Sequence, residues 1–175
     1  MTKITSLIIF LLLTNLLCAQ EWVTPTIDGY GKIKDFKNVD ARPDASLEYK
    51  LVFDITADRE MEGVNMGLWK IARVINMLGA ANVPKEKIHL VAAIHGGATF
   101  ATLGEAKYKK KYKKVNPNDE LLKLLNDYGV ELLVCAQATA ARDIAAEDLN
   151  SDTRLGLSAL MVLANYQLKG YALMP

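Results

Sequence analysis

The pattern of apolar and polar residues predicts strands that alternate with helices from residue 47 onward. Residues 47–55 and 88–94 are rich in β-branched and apolar side chains, which is typical of strands. Between them, apolar residues recur every three or four positions from Gly63 to Leu78, which predicts a helix with one broad apolar face that ends at Gly79. The order strand, helix, strand favours a parallel crossover unit.

The second half of the chain continues this alternation. Asn118 is a suitable N-cap for a short amphipathic helix, and residues 132–134 then form an apolar run that suits a strand buried on both faces. The remaining predicted elements are a helix from Ser151 or Asp152 to about Lys169 and a strand over residues 171–174. Because that helix is apolar on most faces, we expect it to be buried.

Residues 1–20 have the composition of a secretory signal peptide. Lys3 precedes an apolar run, and small residues follow near Ala19, so we expect cleavage after Ala19 or Gln20. The run is too short to favour a transmembrane span. A lipoprotein signal acylated at Cys18 is the alternative, which the bulky residue before Cys18 disfavours. The expected location is therefore periplasmic or secreted.

The rest of the chain divides into an arm and a domain. Residues 21–46 contain Pro and Gly without a sustained period, which predicts an irregular N-terminal arm. We expect this arm to pack on the domain through Trp22, Tyr30 and Phe36. Residues 47–175 predict a single α/β domain, because no repeat or linker interrupts them.

Charge and composition exclude several classes of partner. Loss of residues 1–20 removes Lys3 and no acid, so the mature chain carries 20 Lys and Arg against 20 Asp and Glu. This balance predicts neither nucleic acid nor an anionic membrane as a partner. The lysine-rich run 107–114 is interpreted as a solvated face, with docking to an acidic partner or a polyanion as the functional alternatives.

The most informative stretch brings Cys135 to the end of a predicted parallel strand. With Cys18 removed, Cys135 is the one cysteine left and has no partner for an internal disulfide. Ligands bind at the carboxyl edge of parallel sheets, and a helix that begins there favours a thiolate. The alternative is that Cys135 is a small buried hydrophobe. Asp54 and His95 end their own strands at the same edge.

Five more residues at this edge are candidates for the site. His95 would assist or orient the Cys135 thiol, and Gly96 and Gly97 would allow the backbone to approach an anion. Alternatively, His95 bonds a loop and the two glycines make a tight turn. Gln137 and Thr139 would help to hold an anion bound at this edge. One cysteine and two histidines do not supply a zinc site, and no nucleotide-binding motif occurs, so we expect neither a metal nor an organic cofactor.

The ordered set of these segments resembles the DsrE/DsrF-like (YchN-like) family, within it an exported branch. The segments that carry the resemblance are YKLVFD at 49–54, AIHGGA at 93–98, residues 116–130, VCAQ at 134–137 and QLKGYAL at 167–173. The resemblance implies a three-layer α/β/α fold with a mainly parallel sheet of about five strands. It also implies a homo-oligomer, trimeric or hexameric.

The resemblance further implies a role in sulfur relay, in which Cys135 would carry sulfane sulfur as a persulfide. The expected partner is a sulfur donor or acceptor protein or a small sulfane compound. The alternative function is a non-catalytic periplasmic module that binds a small ligand or supports assembly, with Cys135 buried and structural. Whether the protein is an enzyme is left open by the sequence.

Overall fold

A computed structural model of the protein describes residues 21–175. Its strands are β1 (Tyr49–Ile55), β2 (Glu60–Met61), β3 (Val64–Asn65), β4 (Ile88–Ile94), β5 (Glu131–Cys135), β6 (Arg154–Gly156) and β7 (Ala172–Met174). Five of them form one parallel sheet in the order β6-β5-β4-β1-β7, whereas β2 and β3 make a small antiparallel hairpin. The central strands are long apolar runs because both faces of a parallel sheet are covered.

The helices cover the two faces of this sheet. They are α1 (Met66–Ala80), α2 (Glu105–Tyr112), α3 (Asp119–Tyr128), α4 (Ala136–Ala140) and α5 (Ala159–Leu168). Apolar residues of α1 and α3 pack with Phe53, Ile94 and Leu132 on one face, and α5 packs with Val52 and Val91 on the other. Successive strand residues point to opposite faces, so each strand contributes to both layers. The predicted three-layer α/β/α fold is confirmed.

Two predicted helix boundaries were wrong. Residues before Met66 pair in the β2–β3 hairpin, and Asn65 caps α1 by accepting hydrogen bonds from the N–H groups of Gly67 and Leu68. At the other end, α1 continues through Gly79 to Ala80. Gly79 is needed for close packing rather than for helix termination, because a Cβ there would collide with the Thr26 hydroxyl.

The last helix was also predicted incorrectly. It begins at Ala159, after β6, and its cap is Ser158, whose hydroxyl accepts a hydrogen bond from the Met161 N–H. It is not buried on most faces either. Ala159 and Val162 face the sheet, whereas Leu160 is 76% exposed.

The connection between β4 and α3 is long, and long connections are usually loops. Most of this one is helical. A 3₁₀ helix, Gly96–Thr102, leads into α2, which includes most of the lysine run. Asn118 occupies the N-cap position of α3 as predicted, but its side-chain oxygen accepts from the Asn65 N–H at 2.7 Å instead of capping the helix. This bond ties the start of α3 to the start of α1.

The N-terminal arm packs against α1 through one buried amide. The Asn76 Oδ1 accepts from the N–H groups of Thr26 and Ile27, and its Nδ2 donates to the carbonyls of Tyr30 and Gly31, at 2.8–3.1 Å. Four backbone groups of the arm are thereby satisfied inside the protein.

The side chains that the arm buries differ from those expected. Ile27 and Ile33 are buried, whereas Trp22 and Phe36 are more than half exposed. Trp22 instead lies near the Arg73 guanidinium, at 5.8 Å from the ring centre. The expectation that Trp22 and Phe36 anchor the arm was therefore wrong.

Between residues 21 and 175, no helix is both long and apolar enough to cross a membrane. The predicted signal peptide, residues 1–20, lies outside the described residues.

Candidate functional site

Asp54, His95 and Cys135 lie on one face of the sheet at its carboxyl edge. Asp54 lies two residues after Val52 in β1, so their side chains point to the same face of the sheet. Cys135 packs with Val52 in the layer under α5. His95 follows β4 with an extended backbone, and its N–H donates to the Ile55 carbonyl at 2.9 Å, so the ladder with β1 continues to this residue. The predicted convergence on one edge thus extends to one face.

His95 pairs with Asp54 rather than with the cysteine. The His95 Nε2 lies 2.7 Å from the Asp54 Oδ1, and both side chains are partly exposed. An ionised carboxylate only accepts hydrogen bonds, so Nε2 carries the proton of this bond. Within residues 21–175, no hydrogen bond joins the Cys135 thiol to another group, and a role of His95 toward Cys135 stays a prediction.

Cys135 is a buried free thiol with 6% of its surface exposed. It is the last residue of β5 and also the N-cap position of α4. Ala159 and Val162 of α5 share its apolar cluster, and Gly156 of β6 is its register partner. The residue is therefore largely shielded from solvent by this cluster.

Gly96 and Gly97 form a tight junction with the loop that follows β1. Gly96 has a φ of 56°, and a Cβ there would contact the Thr56 carbonyl at 2.7 Å. The Ala98 N–H donates to the same carbonyl at 3.1 Å, and a Cβ on Gly97 would contact Asp58. Part of this backbone is thus hydrogen-bonded within the fold, which agrees with the alternative that the two glycines make a tight turn.

The side chains of Gln137 and Thr139 are also bonded within the protein. The Gln137 Nε2 donates to the Leu157 carbonyl at 3.3 Å, and the Thr139 hydroxyl donates to the Ala136 carbonyl at 3.0 Å. Gln137 is exposed and Thr139 is buried. The first of these bonds links α4 to the segment before α5, so Gln137 stabilises the layer that covers Cys135.

A cavity of about 170 Å³ adjoins the site on the side of Gly97. Its wall includes two tyrosines, Tyr108 and Tyr112, whose ring centres are 4.6 Å apart. Burial raises the pKa of Tyr112, and the charge of Asp58 raises it further. The complete lining is Asp58, Glu60, Asn65, Gly97, Phe100, Ala101, Tyr108, Tyr112, Lys114 and Asn118. This surface offers polar and aromatic contacts next to Gly97.

The sequence alone did not show what part Asp54 plays in the site. Its strand end was recognised, but its contact with His95 depends on the register of β1 against β4, in which Asp54 aligns with Ala93. The sequence signal was the parallel order of the strands, which brings both ends to one edge. The aromatic wall of the cavity was missed because its residues were interpreted only as part of the lysine run.

Comparison with known proteins identifies the family. The model of the DsrE/DsrF-like family matches residues 50–175, and the chain therefore belongs to this family. The match begins at β1 and excludes the N-terminal arm. No curated protein matches the chain.

Two solved structures are similar to the described fold. A protein of unknown function from Methanobacterium thermoautotrophicum aligns with 72% of this chain and 97% of its own, at 15% identity and a TM-score of 0.50. The ychN protein from E. coli aligns with 71% of this chain and 96% of its own, at 20% identity and a TM-score of 0.46. At these identities the likeness concerns the fold alone.

Proposed function

We propose that this protein carries sulfane sulfur as a persulfide on Cys135. The observation that supports the proposal is the position of Cys135, which ends a central strand of a DsrE/DsrF-like domain on the same face as the Asp54–His95 pair. It is also the free cysteine of the described residues. A cysteine at the carboxyl edge of a parallel sheet lies where such folds bind ligands.

The transfer needs no oxidant outside the two reactants. The Cys135 thiolate attacks the terminal sulfur of a sulfane donor, and a new S–S bond forms as the S–S bond of the donor breaks. The electron pair of the broken bond leaves with the donor thiolate. Cys135 then holds the sulfur as a persulfide, and an acceptor thiolate removes it by the same exchange in reverse.

Asp54 and His95 supply a polar pair at this edge. Asp54 fixes the orientation of the imidazole ring on the face that carries the sulfur. We therefore assign Asp54 a positioning role through His95. Gly96, Gly97, Gln137 and Thr139 shape the surroundings through the backbone contacts described above.

The proposal is tested by mass spectrometry of the purified protein after exposure to polysulfide. We expect a gain of one sulfur on Cys135 that a thiol reductant removes, and no gain in the Cys135→Ser variant. Alkylation of the same sample at pH 7 measures access to the thiol. Absence of the added sulfur, or its presence in the Cys135→Ser variant, would contradict the proposal.

One observation favours a second function, a non-catalytic module with a structural cysteine. The thiol is buried among Val52, Val91 and Val162, which is the usual environment of an inert cysteine. In that case the cavity beside Gly97 is the functional surface. A Cys135 that resists alkylation until the protein is unfolded would support this second function over the first.

We also propose export and self-association. Residues 1–20 have the pattern of a cleaved signal peptide, and the mass of the mature protein purified from its source tests cleavage after Ala19 or Gln20. Self-association is supported by apolar side chains that α5 and the segment just before it expose to solvent, Leu157, Leu160, Met161 and Leu168. The oligomer, trimeric or hexameric by the family resemblance, is tested by light scattering.

A further inference from the structure

A larger groove lies between α2 and the segment that follows α4. Its volume is about 370 Å³, within the range of sites for small organic ligands. The lining residues are Phe100, Leu103, Lys107, Lys110, Lys111, Arg142, Asp143 and Ile144. The sulfur-carrier function assigns nothing to this groove, although it uses much of the lysine run.

The groove carries an excess of positive charge. Lys107 is neutralised by Asp148, whose carboxylate lies 2.7 Å away, and this contact lowers the pKa of Asp148. Lys110, Lys111 and Arg142 form no ion pair with any residue of the described chain, 21–175. Asp143 is the one carboxylate of the lining. Three cations and one anion leave two positive charges unbalanced.

Two of these cations share one aromatic ring. The Lys111 Nζ lies 4.5 Å from the centre of the Phe100 ring, and the Arg142 Cζ lies 5.7 Å from it. Attraction to the electron-rich face of the ring helps to orient both cations in the groove. An anion bound in the groove would offset their excess positive charge. Arg142 is oriented further by donating to the Ala138 carbonyl at 2.9 Å.

The apolar wall of the groove is centred on Phe100. Phe100 is partly exposed and packs against a cluster in which Leu103 and Ile144 are already buried. An inorganic ion would leave the exposed part of this ring uncovered. A ligand with a compact apolar body and a doubly charged head would contact both the wall and the two cations.

We propose that this groove binds a small organic dianion of the phosphate monoester class. The phosphate lies between Lys111 and Arg142, where charge-assisted hydrogen bonds hold it, and the organic group packs against Phe100 and Ile144. A long polyanion does not fit this description, because the whole chain carries a net charge of only +1.

Calorimetry with phenyl phosphate at low, constant ionic strength tests the proposal. We expect phenyl phosphate to bind more tightly than inorganic phosphate, and benzyl alcohol not to bind. Lys111→Gln and Arg142→Gln should each weaken binding roughly tenfold, because each removes one charge-assisted hydrogen bond. Lys109→Gln is the matched control. It removes the same charge from the same helix but lies outside the groove, so it should change affinity less than about twofold by screening.

Three further comparisons keep the test decisive. Phe100→Leu keeps an apolar wall but removes the ring, and it should weaken phenyl phosphate more than inorganic phosphate. Cys135→Ser should bind phenyl phosphate as tightly as the unchanged protein does. The phosphate site is therefore tested independently of the sulfur-carrier function. Thermal melts check that each variant is folded.

Equal affinity for the two phosphates would overturn the proposal, as would equal effects of Lys109→Gln and Lys111→Gln. Binding of heparin alone, with a steep fall in salt, would identify a general polyanion surface instead.

Discussion

At the scale of single residues, Asn76 contributes more to the fold than its polar character suggests. We expect Asn76→Ala to lower the free energy of unfolding by about 3 kcal/mol, since it leaves four buried or partly buried backbone groups of the arm without their partner. Urea denaturation measures this loss. The control is Asn126→Ala, which removes one exposed bond to Asp152 and should cost less than about 0.5 kcal/mol. Equal losses in the two variants would mean that the arm is not anchored by Asn76.

Asp54 is predicted to act on Cys135 through His95. In Asp54→Asn the carboxylate that holds the His95 ring is lost, so the ring is no longer fixed on the face that carries the sulfur. We expect Cys135 alkylation at pH 7 to slow roughly threefold to tenfold, and the alkylation rates of the two proteins measure the effect.

The sheet itself provides the control for this prediction. Glu48 contacts His89 at 3.0 Å at the opposite, amino end of the strands. Glu48→Gln therefore breaks a similar carboxylate–histidine contact far from Cys135 and should leave alkylation unchanged. If Asp54→Asn also leaves the alkylation rate unchanged, Asp54 and His95 have only a structural role.

At the scale of elements, the sequence pattern predicted strands that consist of long apolar runs and missed a short strand that forms only by pairing with its neighbour. β4 has the predicted bounds 88–94, because a continuous apolar run between turns has few alternatives. β6 was missed, since three residues containing Arg154 and Gly156 form no pattern and become a strand only by pairing with β5. The helix before β7 was extended backward over this strand for the same reason.

The arm and α3 are joined by a hydrogen bond that responds to high pH. The Tyr30 hydroxyl donates to a Glu120 carboxylate oxygen at 2.8 Å. Burial raises the pKa of Tyr30 to about 12, and the hydrogen bond and the charge of Glu120 raise it as well. Because the folded state favours the neutral phenol, this contribution to stability is present below pH 10 and is lost as pH rises toward 12.

Tyr30→Phe isolates this effect. At pH 8 the variant should be less stable than the unchanged protein, because the hydrogen bond is missing. Between pH 10 and 11.5 the difference in stability between the two proteins should shrink, since only the unchanged protein has a phenol at position 30 that can ionise. Urea titrations at each pH measure both values. A difference that stays constant over this range would show that Tyr30 does not couple to folding.

At the scale of the whole molecule, topology allowed the convergence of three strand ends to be predicted, but not their contacts. Parallel order alone places Asp54, His95 and Cys135 at one edge. The pairing of His95 with Asp54 instead of Cys135 depends on side-chain direction, which no local pattern encodes. Likewise, Phe100 and Arg142 meet the lysine run only because α2 packs beside the segment after α4.

The apolar outer face of α5 predicts how the molecule associates. Apolar pattern cannot distinguish a buried core from a subunit interface, because both exclude water, and this is why the helix was expected to be buried. Leu160 is 76% and Leu168 is 86% exposed, which is costly for a monomer in water. We therefore expect these side chains to be covered by a second copy of the chain.

Leu160→Glu tests this assignment, since a carboxylate at the centre of an apolar interface would lose its hydration without gaining a partner. We expect light scattering to show the oligomer for the unchanged protein and a shift toward monomer for Leu160→Glu, by at least tenfold in dissociation constant. Leu47→Glu is the control, because Leu47 is also more than half exposed but lies before β1 rather than on α5. An oligomer that survives Leu160→Glu intact would place the interface elsewhere. Dissociation caused equally by Leu47→Glu would show that added charge, rather than loss of the α5 face, separates the subunits.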